Sequence, residues 1–347
     1  MSDTSPAADT VTATPASPEQ PSAPGTRSVV RRRRSTMPWW GRYGVVLTLA
    51  LLVVVFAVTT PNFLNGDNFR IVAASNSIAL IIALGALLPL MVGEFDLSVG
   101  ATVELSSVLV AVLASQHGWS LPTAALAGVL IGTLIGLVNG ILVAVTGMSS
   151  FIATLAVGSL AAGLSLYLTD GAILFQGIPE SLRTFAQGSS DTVPKLLLVA
   201  AAVAVVLWYV TERTPVGRQV ASIGLNKEAA QLMGIRTRSL VVGAFVTSGL
   251  LAGLAGVLLL GRVGSASSGI GPTFLLPALA AGFLGATTIK VGRFNVVGTV
   301  IAVALVAIGL NGLQLNGAPV WVEPVFDGAV LAVAVGASRL AVLRSSR

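Results

Sequence analysis

Runs of about twenty apolar residues, separated by short polar punctuation, repeat from residue 43 almost to the end of the chain. A helical bilayer crossing needs ~20 such residues. The pattern predicts spans near 43–60, 71–92, 97–115, 121–145, 150–169, 194–210, 239–261, 274–290, 294–313 and 324–343. The eighth is short and contains Pro277, which predicts a broken or tilted helix. Residues 1–36 break the pattern: they are rich in Ala, Ser, Thr and Pro and read as a disordered cytoplasmic tail ahead of a transmembrane domain over 37–347. The long polar leader before the first apolar run speaks against a cleaved signal peptide.

Basic residues orient such spans, because Lys and Arg collect in cytoplasmic loops. With the N-terminus inside, ten spans place the tail, the 211–238 loop, the 290–293 turn and the C-terminus in the cytoplasm, and these hold 16 of the 20 basic residues. Arg70, Arg183, Lys195 and Arg262 are the four outside. Nine or eleven spans would put the basic central loop and the C-terminus on opposite sides. The expected fold class is therefore an all-α membrane protein with about ten transmembrane helices and both termini cytoplasmic. Arg31 to Arg34, followed by Trp39 and Trp40, form an anchor toward anionic membrane lipid or an orientation signal alone.

Composition agrees. Only 10% of the residues are charged and 54% are hydrophobic, against roughly 25% charged in soluble domains. The 38 glycines fit helices packed closely in lipid. The absence of cysteine excludes disulfides, thiolate catalysis and Cys-ligated metal, and a lone His117 reads as an interfacial side chain, so no metal site is expected. The net charge of +6 lies at span ends and is no nucleic-acid signal.

Candidate chemistry begins where the apolar pattern fails. Gly93-Glu94-Phe95-Asp96-Leu97-Ser98-Val99-Gly100 puts two carboxylates between two spans, with Glu104 following. A carboxylate at the bilayer centre costs about 2.5–3.5 kcal/mol on insertion scales. Glu94, Asp96 and Ser98 therefore either line or close a translocation path or form a solvated cytoplasmic turn. Ser75, Asn76 and Ser77 interrupt the second span, and Asn139 and Asn311 interrupt two others. For these, substrate contact and interhelical hydrogen bonding are both open. Phe151 offers either a stacking face for a sugar ring or ordinary packing.

The 211–238 loop predicts a short helix. Asn226 caps it, Glu228 meets the positive end of its dipole, Ala229, Ala230, Leu232 and Met233 continue it, and Gly234 supplies a left-handed stop. At about two turns it is too short to stand alone in water, so it must dock. Its small Ala-Ala face suits a narrow groove on a partner.

These residues carry a resemblance. Glu228-Ala229-Ala230 with Gly234 resembles the coupling loop of ATP-binding-cassette importer permeases, and 93–100 resembles the signature of the ribose/xylose/galactose-type sugar permeases. Val138-Asn139-Gly140, Phe151-Ile152-Ala153-Thr154-Leu155, Thr169-Asp170-Gly171 and Asn311-Gly312-Leu313 follow in the same order, over roughly residues 45–340. The chain departs from the pattern at Glu94, where a Gly is usual, at Ser149-Ser150, where a Pro pair is usual, and across 275–295. The resemblance implies a permease that pairs with a like chain, as a homodimer or pseudo-symmetric pair. It also implies a cytoplasmic ATPase on each coupling loop and an extracytoplasmic sugar-binding protein as donor. The implied pathway takes in Ser75, Asn76, Ser77, Glu94, Asp96, Ser98, Asn139, Phe151, Thr154 and Asn311.

No Gly-x-x-x-x-Gly-Lys-Ser/Thr occurs, so ATP is hydrolysed elsewhere; no catalytic residue and no cofactor is expected, and the chain is not an enzyme. The rival is an ion-coupled carrier using Glu94, Asp96 and Glu104. A last feature is an echo of Val92–Gly100 in Val291–Gly298, which in a chain so rich in Val and Gly has little weight on its own.

Overall fold

A computed structural model describes residues 39–190 and 193–345. The tail expected over 1–36 lies outside these residues. Long helices follow the apolar runs: α1 (Trp39–Thr59), α2 (Gly66–Met91), α3 (Val99–Ser115), α4 (Leu121–Ala144) and α5 (Ser150–Thr169). Between α5 and the next long helix come the short α6 (Glu180–Gln187) and a hairpin of β1 (Ser189–Ser190) and β2 (Val193–Pro194). Then follow α7 (Lys195–Arg213), α8 (Pro215–Leu225), α9 (Lys227–Leu232), α10 (Thr237–Val263), α11 (Pro272–Gly285), α12 (Val296–Leu315) and α13 (Val322–Ser345). Among the described residues, α2, α4, α5, α7, α10 and α12 are long and apolar enough to cross a bilayer, and Tyr43–Thr59, α3 and α11 are shorter apolar helices. The chain is an all-α membrane protein.

The bundle is built around α2 and α10. Ile81, Leu84 and Leu87 of α2 are fully buried with Ala252 and Ala255 of α10 in one core. The closest helix pair is α4 against α10, and glycine makes it possible. Gly128, Gly132, Gly136 and Gly140 line one stripe of α4 at every fourth position, where helical side chains share a face. A Cβ on Gly132 would strike the Gly249 carbonyl, and one on Gly136 the Phe245 carbonyl. Small residues that let backbones touch are the usual basis of helix packing in lipid. The outward faces stay apolar: Leu126, Leu130 and Leu134 of α4 and Leu160, Leu164 and Tyr167 of α5 are exposed. Lipid meets such faces without the cost that water would impose.

One end of the bundle gathers α8, α9 and the α2–α3 and α11–α12 connections: Gly224 abuts the Met91 carbonyl, and Lys290 pairs with Glu212. The opposite end carries the hairpin, the Leu174–Ala266 bridge and the bond from Asn316 Nδ2 to Thr60 Oγ1.

One expectation changes. The eighth span ends at Gly285, not 290. Asn295 reverses the chain there: its Nδ2 donates to the carbonyls of Gly285, Thr288 and Arg293, while its Oδ1 accepts from Gly298 N–H at 2.7 Å to cap α12. The connection before α7, for which the apolar pattern makes no prediction, is structured. The amphipathic α6 buries Leu182 and Ala186, and both press on Gly261 of α10.

Candidate functional site

Two polar sites lie at opposite ends of the bundle. The first is built on residues 93–98, which leave α2 through Gly93 at φ +82°, a conformation that favours glycine. Asp96 is only 2% exposed. Its Oδ1 accepts from Ser98 N–H at 3.0 Å and Ser98 Oγ at 2.6 Å, and its Oδ2 accepts from Ser248 Oγ of α10 at 2.7 Å. Asn139 Nδ2 of α4 donates to Ser98 Oγ at 2.7 Å. Leu97 N–H donates to Thr154 Oγ1 at 3.0 Å and Phe95 N–H to Ser150 Oγ at 3.2 Å, both on α5. A buried carboxylate is tolerable only when paired or hydrogen-bonded, and this one has three donors. The result is a polar knot that pins the 93–98 segment to α4, α5 and α10.

Glu94 leads from that knot to the surface. Its Oε1 accepts from Lys227 Nζ at 2.8 Å, joining the segment to α9. The α9 caps are as the local chemistry predicts: Asn226 Oδ1 accepts from Ala229 N–H at 2.7 Å, and Gly234 stands at φ +79°. The face that docks differs from the expected one. Ala230 is fully buried with Val92, Ile223, Val241 and Phe245 of this same chain, so only half of the Ala-Ala face is left outward. The outward surface of α9 is Glu228, Ala229, Gln231 and Leu232, the last 90% exposed, with Met233 beyond its end.

The second site lies toward the other end, in two cavities beside α2 and α12. One, of about 620 Å³, is walled mainly by apolar side chains with Asn68, Asn76, Ser77 and Asn311 among them. Its neighbour, of about 330 Å³, is more polar and shares Asn76 and Asn311, adding Ser75, Gln314, Glu323 and Asp327. Asn68 and Asn311 form a reciprocal amide pair, each Nδ2 donating to the other's Oδ1 at 2.9 Å.

The structure therefore groups Glu94, Asp96, Ser98, Asn139 and Thr154 at one site, and Ser75, Asn76, Ser77 and Asn311 at the other. Phe151 belongs to neither; it is 55% exposed on α5 and lines none of the cavities described here. Glu94, Asp96 and Glu104 do not converge: Glu104 Oε2 instead accepts from Gly271 N–H at 2.6 Å. Sequence reasoning missed Ser248, Lys227 as the partner of Glu94, and Asp327. Asp327 had a readable signal, an acid four residues after Glu323 inside the last apolar run.

An apolar helical bundle with a docked surface helix at one end and polar cavities toward the other is the build of a multi-pass membrane permease. Comparison with known proteins supplies the family. Residues 68–335 match the family described as the permease component of branched-chain amino acid transport systems. The D-allose transport system permease protein AlsC of Escherichia coli (strain K12) is 30% identical over 303 residues, covering 87% of this chain and 93% of the relative. The ribose import permease protein RbsC of Bacillus subtilis (strain 168) is 35% identical over 295 residues, covering 85% and 91%. The autoinducer 2 import system permease protein LsrD of Salmonella paratyphi A (strain ATCC 9150 / SARB42) is 32% identical over 306 residues, covering 85% and 92%. No solved structure matches. The chain belongs to the ATP-binding-cassette importer permeases of the sugar type, and it is a multi-pass protein of the cell membrane.

Proposed function

We propose that the chain is the translocating subunit of an importer for a sugar or sugar-like solute, driven by a separate cytoplasmic ATPase and supplied by an extracytoplasmic sugar-binding protein. Two such chains, identical or closely similar, enclose one pathway. Each crosses the membrane ten times with both ends inside, and the tail over 1–36 hangs in the cytoplasm. The observation that carries this reading is the build of α9: a capped two-turn helix, docked through Ala230 and bonded through Lys227 to Glu94, with Leu232 held outward. A helix fixed on its own bundle on one side, with Leu232 and Ala229 presented beside Glu228 and Gln231 on the other, is made to receive a partner.

The mechanism follows from what α9 touches. ATP binding draws the two ATPases together and carries α9 with them. The Lys227–Glu94 bond passes the movement to the 93–98 segment, whose bonds to Thr154, Asn139 and Ser248 spread it to α5, α4 and α10. The helices rock about the glycine-lined contacts, and the pathway opens to alternate sides. Ser75, Asn76, Ser77 and Asn311 meet the solute, and the knot around Asp96 moves the wall. The chain itself changes no covalent bond.

The test is purification of the tagged full-length chain in mild detergent, with mass spectrometry of what accompanies it. A stoichiometric ATPase subunit is expected; a chain free of ATPase would overturn the reading.

A further inference from the structure

We propose that the cavity between α2, α11, α12 and α13 is a solute site in which Asp327 accepts hydrogen bonds from a neutral sugar and which rejects anionic ones. The proposal rests on the permease reading above and adds to it a residue and a charge class.

Three observations meet in this cavity. Its volume, about 330 Å³, falls in the range of small-molecule sites, ~300–1,000 Å³. Asp327 lines it and is only 8% exposed, yet its Oδ1 has no hydrogen-bond partner among the described residues. The polar groups around it are engaged elsewhere. Gln314 Nε2 lies 3.4 Å from Glu323 Oε2, Asn311 is locked to Asn68, and Ser75 Oγ accepts from Arg262 Nη2 at 3.3 Å. A buried acceptor left unpaired is unfavourable, so a donor from outside the chain is the natural complement.

A carboxylate only accepts, and adjacent sugar hydroxyls each carry a proton to give. Phe274, also in the wall, offers an apolar face to the C–H side of a sugar ring. Charge then decides the class. Glu323 stands one helical turn before Asp327, and no Lys or Arg is among the lining residues, Arg262 reaching the wall only through its bond to Ser75. Sugar acids and sugar phosphates would meet the buried Asp327 carboxylate, with the exposed Glu323 one turn away adding a second like charge. Location agrees: the walls come from the first turns of α11 and α13 and the last turns of α12, toward the end opposite α9, where an imported solute arrives.

The test uses the full-length permease with its co-purified ATPase in lipid nanodiscs. Dicyclohexylcarbodiimide labels accessible carboxyls, and mass spectrometry follows Asp327 against the exposed Glu228. A panel of neutral pentoses and hexoses, D-ribose and D-allose included, is compared with D-glucuronate. A recognised neutral sugar at about ten times its dissociation constant slows Asp327 labelling about 10-fold by mass action and leaves Glu228 unchanged. D-Glucuronate leaves both unchanged. An unreactive Asp327, protection by no neutral sugar, or equal protection by D-glucuronate would each overturn the site. As a second readout, Asp327→Asn raises the apparent KM for the protecting sugar by roughly 10-fold, the loss of one charge-assisted hydrogen bond, with the maximal rate little changed. If that variant does not accumulate in membranes, the labelling of the natural chain decides. Failure of the site in a chain that still brings down its ATPase leaves the permease reading standing; absence of the ATPase overturns that reading separately.

Discussion

Glu94 is the residue at which this chain departs most usefully from the sugar-permease pattern. A glycine there would leave the 93–98 segment and α9 touching through apolar contacts alone; Glu94 adds a charged bond to Lys227. The Lys227 side chain is 39% and the Glu94 side chain 16% exposed. Pairs still open to solvent on one side stabilise a fold by only about 0.2–1 kcal/mol, so the effect of breaking this one is assigned to coupling rather than to stability. Glu94→Lys or Lys227→Glu places like charges together and is expected to cut ATP-driven uptake several-fold with little change in melting temperature. The double exchange restores most of the loss. Uptake by both single variants at the natural rate would show that the bond transmits nothing. The sequence exposed Asp96, Ser98 and Asn139 as polar interruptions, and Thr154 through the family resemblance, but not Ser248, which reaches Asp96 across 152 positions. A lone serine inside an apolar span carries no periodic signal, and only the packing of α10 against α2 and its neighbours brings it to the carboxylate.

Among elements, those ruled by local chemistry were the legible ones. The apolar runs gave the long helices, and Asn226 and Gly234 marked the start and stop of α9, because caps depend on a few adjacent residues. The face on which α9 docks was not legible, since Ala229 and Ala230 are chemically identical and only the position of Phe245 and Val92 selects Ala230. The weak echo between 92–100 and 291–298 has a structural counterpart. Gly93 and Gly292 both take positive φ, and Phe95 and Phe294 both touch the ring of Phe283, at 6.2 and 5.4 Å between centroids. The two connections are alike in form and meet at one aromatic residue. The α4–α10 contact gives the sharpest stability prediction. Gly136→Val forces a branched side chain into the Phe245 backbone, and overpacking of this kind costs ~1–3 kcal/mol or more. The variant should yield little monodisperse protein in detergent chromatography, whereas Gly163→Val, with open space around it, should behave as the natural chain. Equal behaviour of the two would contradict close packing of α4 on α10.

At the scale of the whole molecule, the two ends differ in chemistry. The end with α9 holds Arg218, Lys227, Lys290 and Arg293 around the α2–α3 and α11–α12 connections, and the other holds the cavity with Glu323 and Asp327. Charge counting along the sequence expects the α9 end to face the cytoplasm, because the positive-inside pattern depends on loop composition alone. It did not anticipate the cavities, whose walls come from helices distant in sequence. Because the chain has no cysteine, one introduced thiol is a unique probe of which end meets the ATPase. The decisive measurement is cross-linking in membranes that hold the assembled transporter, with a thiol-to-amine reagent on Leu232→Cys at the tip of α9 or on Phe175→Cys, exposed at the opposite end. Capture of the ATPase subunit by the first and not the second is the predicted result. Capture by Phe175→Cys alone, or by neither, would contradict the account.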